Sequence, residues 1–126
     1  MIALMVEDSA LVRSRLIPML AAFSGVRVVA TAESTAEALE WLRDNRCDLV
    51  LLDLSLRTAA GLDLLDALGR PPPPGDPDPP MRVVLTNGAS EAVRRHCEAL
   101  GAAVFDKSIQ LDELFDFLRR EYCTIH

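Results

Sequence analysis

The stretch Leu49–Leu56 reads LVLLDLSL. Six apolar residues and a serine surround one carboxylate, that of Asp53. An ionised carboxylate taken out of water without partners costs several kcal/mol even after its surroundings relax. Asp53 therefore sits where an apolar strand emerges from the core, or something opposite it compensates the charge.

On either side of this stretch, apolar runs alternate with helical patterns. Ile2–Val6 is a short apolar run. It is followed from about Ser9 to Phe23 by Val12, Leu16, Leu20 and Phe23 at helical spacing. Pro18 lies inside that segment and predicts a kink or a break. Val26–Thr31 is β-branched and strand-like. Ser34-Thr-Ala-Glu37 is a capping box that opens a helix to about Asn45, with Ala38, Leu39 and Leu42 facing inward. Asp48–Leu52 is a second strand-like run, Ala60–Leu68 is helical with Gly69 as its stop, and Met81–Leu85 is again a strand. Ser90–Leu100 is a helix ending at Gly101, and Ala102–Phe105 a strand. A last helix, capped by Ser108, carries Leu111, Leu114, Phe115 and Leu118 on one face. Continuous apolar strands alternating with helices imply a five-stranded parallel α/β sheet covered on both faces.

With 126 residues the chain is expected to form one domain, 1–126, with a real core. The segment from Arg70 to Met81, RPPPPGDPDPPM, breaks the rhythm. Proline at that density favours an extended polyproline conformation. The two strand–helix units after it are too small to fold alone, so it is read as a long crossover loop inside the domain rather than a linker. A net charge of −6 argues against nucleic acid as a direct partner, although Arg94-Arg95 and Arg119-Arg120 are adjacent pairs. The first apolar run meets acids after six residues, and no run approaches the ~20 residues that cross a bilayer. Cys47, Cys97 and Cys123 lack C-x-x-C spacing. Reduced thiols, no membrane and a cytoplasmic protein are expected. The last helix ends near His126, so no effector domain is expected after it.

In an open parallel sheet, functional groups gather beyond the carboxyl ends of the strands. The first apolar run is followed by Glu7-Asp8, the third by Asp53, the fourth by Thr86-Asn87 and the fifth by Asp106-Lys107. Ala32-Glu33 follows the second and is set aside, because an edge strand would lie further off. Carboxylates ~5 Å apart repel by about 3 kcal/mol per pair at an effective dielectric near 20. Three together call for a divalent cation, and hard oxygen ligands suit Mg²⁺ or Mn²⁺ better than zinc. A lone acid in an apolar strand can attack phosphorus and form an aspartyl phosphate. Its phosphoryl oxygens could be received by the metal, by Lys107 and by the Thr86 hydroxyl. Lys107 is the one lysine beside twelve arginines, and a compact ammonium suits a point contact to phosphate.

VEDS, LVLLDLSL, LTNGAS and GAAVFDKS, in this order, resemble the receiver domain of bacterial two-component response regulators. The resemblance covers essentially the whole chain. It implies a flavodoxin-like, doubly wound sheet of strand order 2-1-3-4-5. It also implies that Asp53 takes a phosphoryl group from the phosphohistidine of a sensor histidine kinase or a phosphotransfer protein. Asp8 would hold Mg²⁺ directly, Glu7 through water, and the Ser55 carbonyl would be a further ligand. Thr86 and Lys107 would contact the phosphoryl group, and the fourth helix, fifth strand and fifth helix would meet an unknown downstream protein. Gly61 matches the glycine that follows the acceptor loop.

The chain departs from the family at several places. Ser108 stands where a proline, often cis, follows the lysine, and Arg57 where a proline often follows the acceptor. Gly101 to Lys107 is one residue short, so Val104 replaces the aromatic switch residue and Phe105 lies next to it. Ser55 and Gly88 stand at positions that tune autodephosphorylation in the family.

Plainer readings exist for each residue. Glu7-Asp8 could simply open a helix, where acids favour the dipole, Thr86 could end a strand and Lys107 could be solvated. His96, His126 and Trp41 read as two surface residues and a packing residue. Two other functions are possible. A phosphatase of the haloacid dehalogenase type would need a second acid where Ser55 stands, and a cap domain. A receiver-fold binding module would work without phosphate.

Overall fold

In the computed structural model the described residues are 1–54, 60–68, 80–86, 91–106 and 111–125. Five strands alternate with five helices: β1 Ile2–Val6, α1 Ala10–Ser24, β2 Arg27–Ala32, α2 Thr35–Asp44, β3 Leu49–Leu54, α3 Ala60–Leu68, β4 Met81–Thr86, α4 Glu91–Ala99, β5 Ala102–Asp106 and α5 Leu111–Ile125. The strands form one sheet in the order β2-β1-β3-β4-β5, and every neighbouring pair is parallel. The sequence of each strand explains its place. The three middle strands are nearly all apolar, as strands covered on both faces must be. Edge strand β2 alternates exposed and covered residues along Arg27–Ala32.

Side-chain alternation sorts the core into two layers. Leu4, Val6, Val50, Leu52, Val84 and Val104 face one way, against Ala38, Leu64, Leu65 and Cys97 of α2, α3 and α4. Ala3, Met5, Leu49, Leu51, Val83 and Leu85 face the other way, against Leu16 and Leu20 of α1 and Leu114, Phe115 and Leu118 of α5. Trp41 packs on the first of these layers. The helices thus cover both faces of a doubly wound sheet.

Helix ends follow their caps. The Ser9 hydroxyl accepts from the Val12 N–H at 3.3 Å and opens α1. Gly25, at φ +71°, closes it in the left-handed region that favours glycine. At α2 the Ser34 hydroxyl accepts from the Glu37 N–H at 3.2 Å, while the Glu37 carboxylate accepts from the Glu33 N–H at 3.1 Å.

Of the kink or break expected at Pro18, the break does not occur. The helix runs continuously from Ala10 to Ser24 with Pro18 inside it. Both Pro18 and Ser14, whose carbonyl loses its i+4 donor, are exposed, so water can serve that carbonyl. Other boundaries move by a residue or two, and at the rim β3 extends two residues past Leu52 and takes in Asp53, β4 includes Thr86 and β5 includes Asp106. Gly69, the Ser108 cap and the proline-rich segment as far as residue 79 lie outside the described residues. Among the described residues no helix is long and apolar enough to cross a membrane.

Candidate functional site

Register brings the strand ends to one rim. Val6 pairs with Leu52 on one side and Ala32 on the other, Asp53 with Leu85, Leu54 with Thr86, and Thr86 with Asp106. The chain leaves β1 directly into Glu7 and Asp8, so these two acids start beside the end of β3.

Glu7 is the centre of the arrangement. It is only 5% exposed, and its carboxylate accepts the Ser9 N–H at 2.9 Å. Its own N–H donates to the Ala32 carbonyl at 2.9 Å. Burial, and then a hydrogen bond shared with Asp53, push its pKa from 4.5 up to about 8, against the lowering pull of the Ser9 N–H. The Asp53 charge and a hydrogen bond with Asp8 add to the upward push. Two carboxyl groups can share a hydrogen bond only when one of them holds a proton. Glu7 thus lies near both Asp53 and Asp8, and burial together with these carboxyls favours its protonated form at a place where positive charge is wanted.

Among the described residues, no group of three or more His, Cys, Asp or Glu side chains stands arranged to hold a metal ion. The donor set still fits a hard divalent cation. It is all oxygen, it is anionic once Glu7 ionises, and exposed Asp8 can reach outward. A cation there would favour the ionised form of Glu7, which burial and the nearby carboxyls disfavour.

Thr86 is buried, at 4% exposed. By strand alternation it shares the face of Val84, the one covered by α2, α3 and α4. Asp53 shares the opposite face with Leu51, under α1 and α5. Asp106, opposite Thr86, ends β5. Lys107, Ser55, Asn87, Gly88 and Ser108 lie outside the described residues, so five strand-end groups were expected and the described residues bring Glu7, Asp8, Asp53 and Thr86 to the rim. Val104 is buried on the Thr86 face. Phe105 points to the other face and its ring lies 5.4 Å from that of Phe117.

Sequence reasoning missed two residues here. Arg13 of α1 donates to the Glu7 carbonyl and to the Glu33 carboxylate. Glu33, set aside as too distant, is thereby tied to the same turn. The signal was available, since a cation in the first turns of a helix opposes the dipole and needs a reason.

Residues 3–119 match the response regulator receiver domain family. The chain belongs to that family. Receiver domains are the phosphoryl-accepting signalling modules of two-component systems. The receiver described here is 30% identical over 103 residues to a protein-glutamate methylesterase/protein-glutamine glutaminase of Desulfotalea psychrophila, covering 82% of this chain and 27% of that protein. It is 29% identical over 119 residues to the response regulator GacA of Pseudomonas aeruginosa, covering 94% of this chain and 54% of the relative. The chain thus spans about a quarter to a half of the length of these curated relatives. Among solved structures, the signal receiver domain of a DNA-binding response regulator from Colwellia psychrerythraea superposes with a TM-score of 0.77 at 19% identity, covering 96% of this chain and 97% of that one, a likeness of fold. The Mn²⁺-bound form of response regulator Rcp1 matches with a TM-score of 0.64 at 25% identity, covering 94% and 88%. The sheet order expected from the resemblance is the one observed.

Proposed function

We propose that this receiver accepts a phosphoryl group on Asp53 from the phosphohistidine of a sensor histidine kinase or phosphotransfer protein. The supporting observation is the buried Glu7 beside Asp53, at the rim where Thr86 is also buried. Attack by an Asp53 oxygen forms a P–O bond as the P–N bond to the donor imidazole breaks, and the imidazole leaves with the electron pair. The attacking Asp53 oxygen needs a free electron pair for this step. Glu7, Asp8, Asp53 and the Ser55 carbonyl would hold Mg²⁺, or Mn²⁺ in its place. When bound, that cation neutralises charge on the phosphoryl oxygens.

Thr86 presents its hydroxyl at the end of β4, and Lys107 follows β5 directly in sequence. These two are assigned to the remaining phosphoryl oxygens. Phosphorylation adds roughly −1.5 to −2 charge at the rim. The signal then passes by protein contact through α4, β5 and α5, in the cytoplasm. The family's threonine–aromatic relay has no aromatic at its usual position, because Val104 is buried there and Phe105 is committed to Phe117.

The test is incubation with Mg²⁺ and acetyl phosphate, followed by reduction of the acyl phosphate and mass mapping. A stable modification on Asp53, absent from Asp53→Asn, is expected. Label on another residue, or rapid turnover with no modified protein, defeats the assignment. A phosphate-independent binding module would take no label at all.

A further inference from the structure

The structure carries one cation where two electrostatic rules argue against it. Arg13 lies in the first turns of α1, its N–H donating to the carbonyl of the cap Ser9 at 3.0 Å. The helix has no acid in its first turn, so the dipole there disfavours a cation. Arg13 also adjoins a site that should attract a divalent cation. Its side chain is 18% exposed and folds back towards the helix start, as helical side chains do. Nη1 donates to the Glu7 carbonyl at 2.5 Å, and Nη2 to Glu33 Oε1 at 3.4 Å.

The target of Nη1 is informative. The Glu7 N–H is already fixed to the Ala32 carbonyl. With Arg13 on its carbonyl, the backbone of Glu7 is held on both sides, across two neighbouring strand ends. Asp8 hangs exposed from the next Cα. A clamped peptide fixes the direction from which the Asp8 carboxylate leaves the chain, and a hydrogen-bonded support of this kind sets ligand geometry at metal sites.

We infer that Arg13 is a positioning residue for divalent-cation binding, acting through the Glu7 carbonyl. This rests on the metal-dependent reading proposed above. Charge alone predicts the opposite sign, because removing a cation beside a metal site tightens metal binding. The two accounts therefore separate cleanly.

The experiment titrates Mn²⁺ alone into wild type, Arg13→Ala, Arg13→Lys and Glu33→Gln, reading free Mn²⁺ by electron paramagnetic resonance. Amide exchange of the metal-free proteins is followed at Asp8 and Ser9. Arg13→Ala is expected to bind Mn²⁺ about tenfold more weakly, with faster exchange at Asp8 and Ser9 and unchanged exchange in β3 and β4. Arg13→Lys should weaken binding less, since one ammonium can reach the carbonyl but not both partners. Glu33→Gln should weaken it less than Arg13→Ala. Equal or tighter Mn²⁺ binding by Arg13→Ala overturns the inference while the metal-dependent reading stands. Where Arg13→Ala does not fold, Arg13→Lys decides: weaker binding than wild type supports the clamp, and unchanged binding overturns it. Absence of Mn²⁺ binding by wild type overturns the metal-dependent reading and this inference with it.

Discussion

Glu7 and Arg82 are both 5% exposed and lie at opposite ends of the sheet. Arg82 is near the start of β4, and its Nη1 donates to the Leu100 carbonyl at 3.0 Å. The backbone around that end is equally complementary. The Ile2 N–H meets the Asp48 carboxylate at 2.8 Å, and the Asp48 N–H meets the Ile2 carbonyl at 2.9 Å. Burial lowers the Arg82 pKa, as it must for a cation. Glu7, at the other end, lies beside a second carboxyl, and burial together with that neighbour pushes its pKa up to about 8. Among the described residues, one end of the sheet pairs groups of opposite polarity and the other brings carboxyls together. Sites that handle charged substrates are where such crowding of like groups is kept.

The largest effect should come from pH. An acid whose folded pKa is raised supports the fold fully below its unfolded pKa and loses that support as pH climbs. For Glu7 the window runs from 4.5 to about 8. Between those values the folded protein keeps a proton that the unfolded chain gives up, so stability falls with rising pH. Urea denaturation of the metal-free protein should lose a few kcal/mol across the window, since each tenfold change in proton affinity is worth about 1.4 kcal/mol. Glu7→Gln should flatten the profile. Saturating Mg²⁺ or Mn²⁺ should restore stability increasingly towards pH 8, because the cation takes the place of the proton. A flat metal-free profile in wild type would remove the contrast between the two ends.

At the Arg82 end, Arg82→Met keeps the apolar stem but leaves the Leu100 carbonyl without its guanidinium donor. A loss of about 2 kcal/mol is expected, constant between pH 5 and 8.5 and with unchanged Mn²⁺ affinity. Denaturation curves and Mn²⁺ titration of this variant check both halves of the statement. A change in metal affinity would mean that the two ends communicate.

The same contrast explains what could be read from the sequence. Strand and helix order was legible because apolar runs and 3.6-residue patterns alternate with clear caps at Ser9 and Ser34. The rim was legible because Asp53 is a lone charge in an apolar run. Arg82, in MRVVLT, is a lone charge in an equally apolar run, and the same reasoning would have found it buried. Its partner is a backbone carbonyl, which leaves no trace in side-chain patterns. Arg13 escaped for that reason too, since its nearest partner is the carbonyl of Glu7. Pro18 leaves α1 unbroken because an exposed turn lets water replace the hydrogen bond it removes, which propensity counts as lost in full.

Asp53→Asn separates chemistry from stability at the Glu7 end. It should abolish labelling and yet stabilise the metal-free protein at pH 8 by about 1 kcal/mol, since it removes the charge facing Glu7. For a domain of this size that is a rise in Tm of about 4 °C, measurable by calorimetry. Destabilisation by Asp53→Asn would mean that the carboxyl pair supports the fold, and the Glu7 end would have to be reinterpreted as structural.

The smallest effect tests whether burial or distance decides these outcomes. His96 of α4 and Asp66 of α3 approach to 2.9 Å, closer than Arg82 to its carbonyl. If distance set the energy, this link between two helices should matter more than the Arg82 bond. Both of its side chains are about half exposed, however, at 49% and 56%. Water competes for each group and salt screens the pair, so a double-mutant cycle of Asp66→Asn and His96→Gln should give a coupling below about 0.5 kcal/mol. A coupling as large as the loss in Arg82→Met would make proximity the governing variable, and the equal burial of Glu7 and Arg82 would then no longer be a fair basis for comparing the two ends.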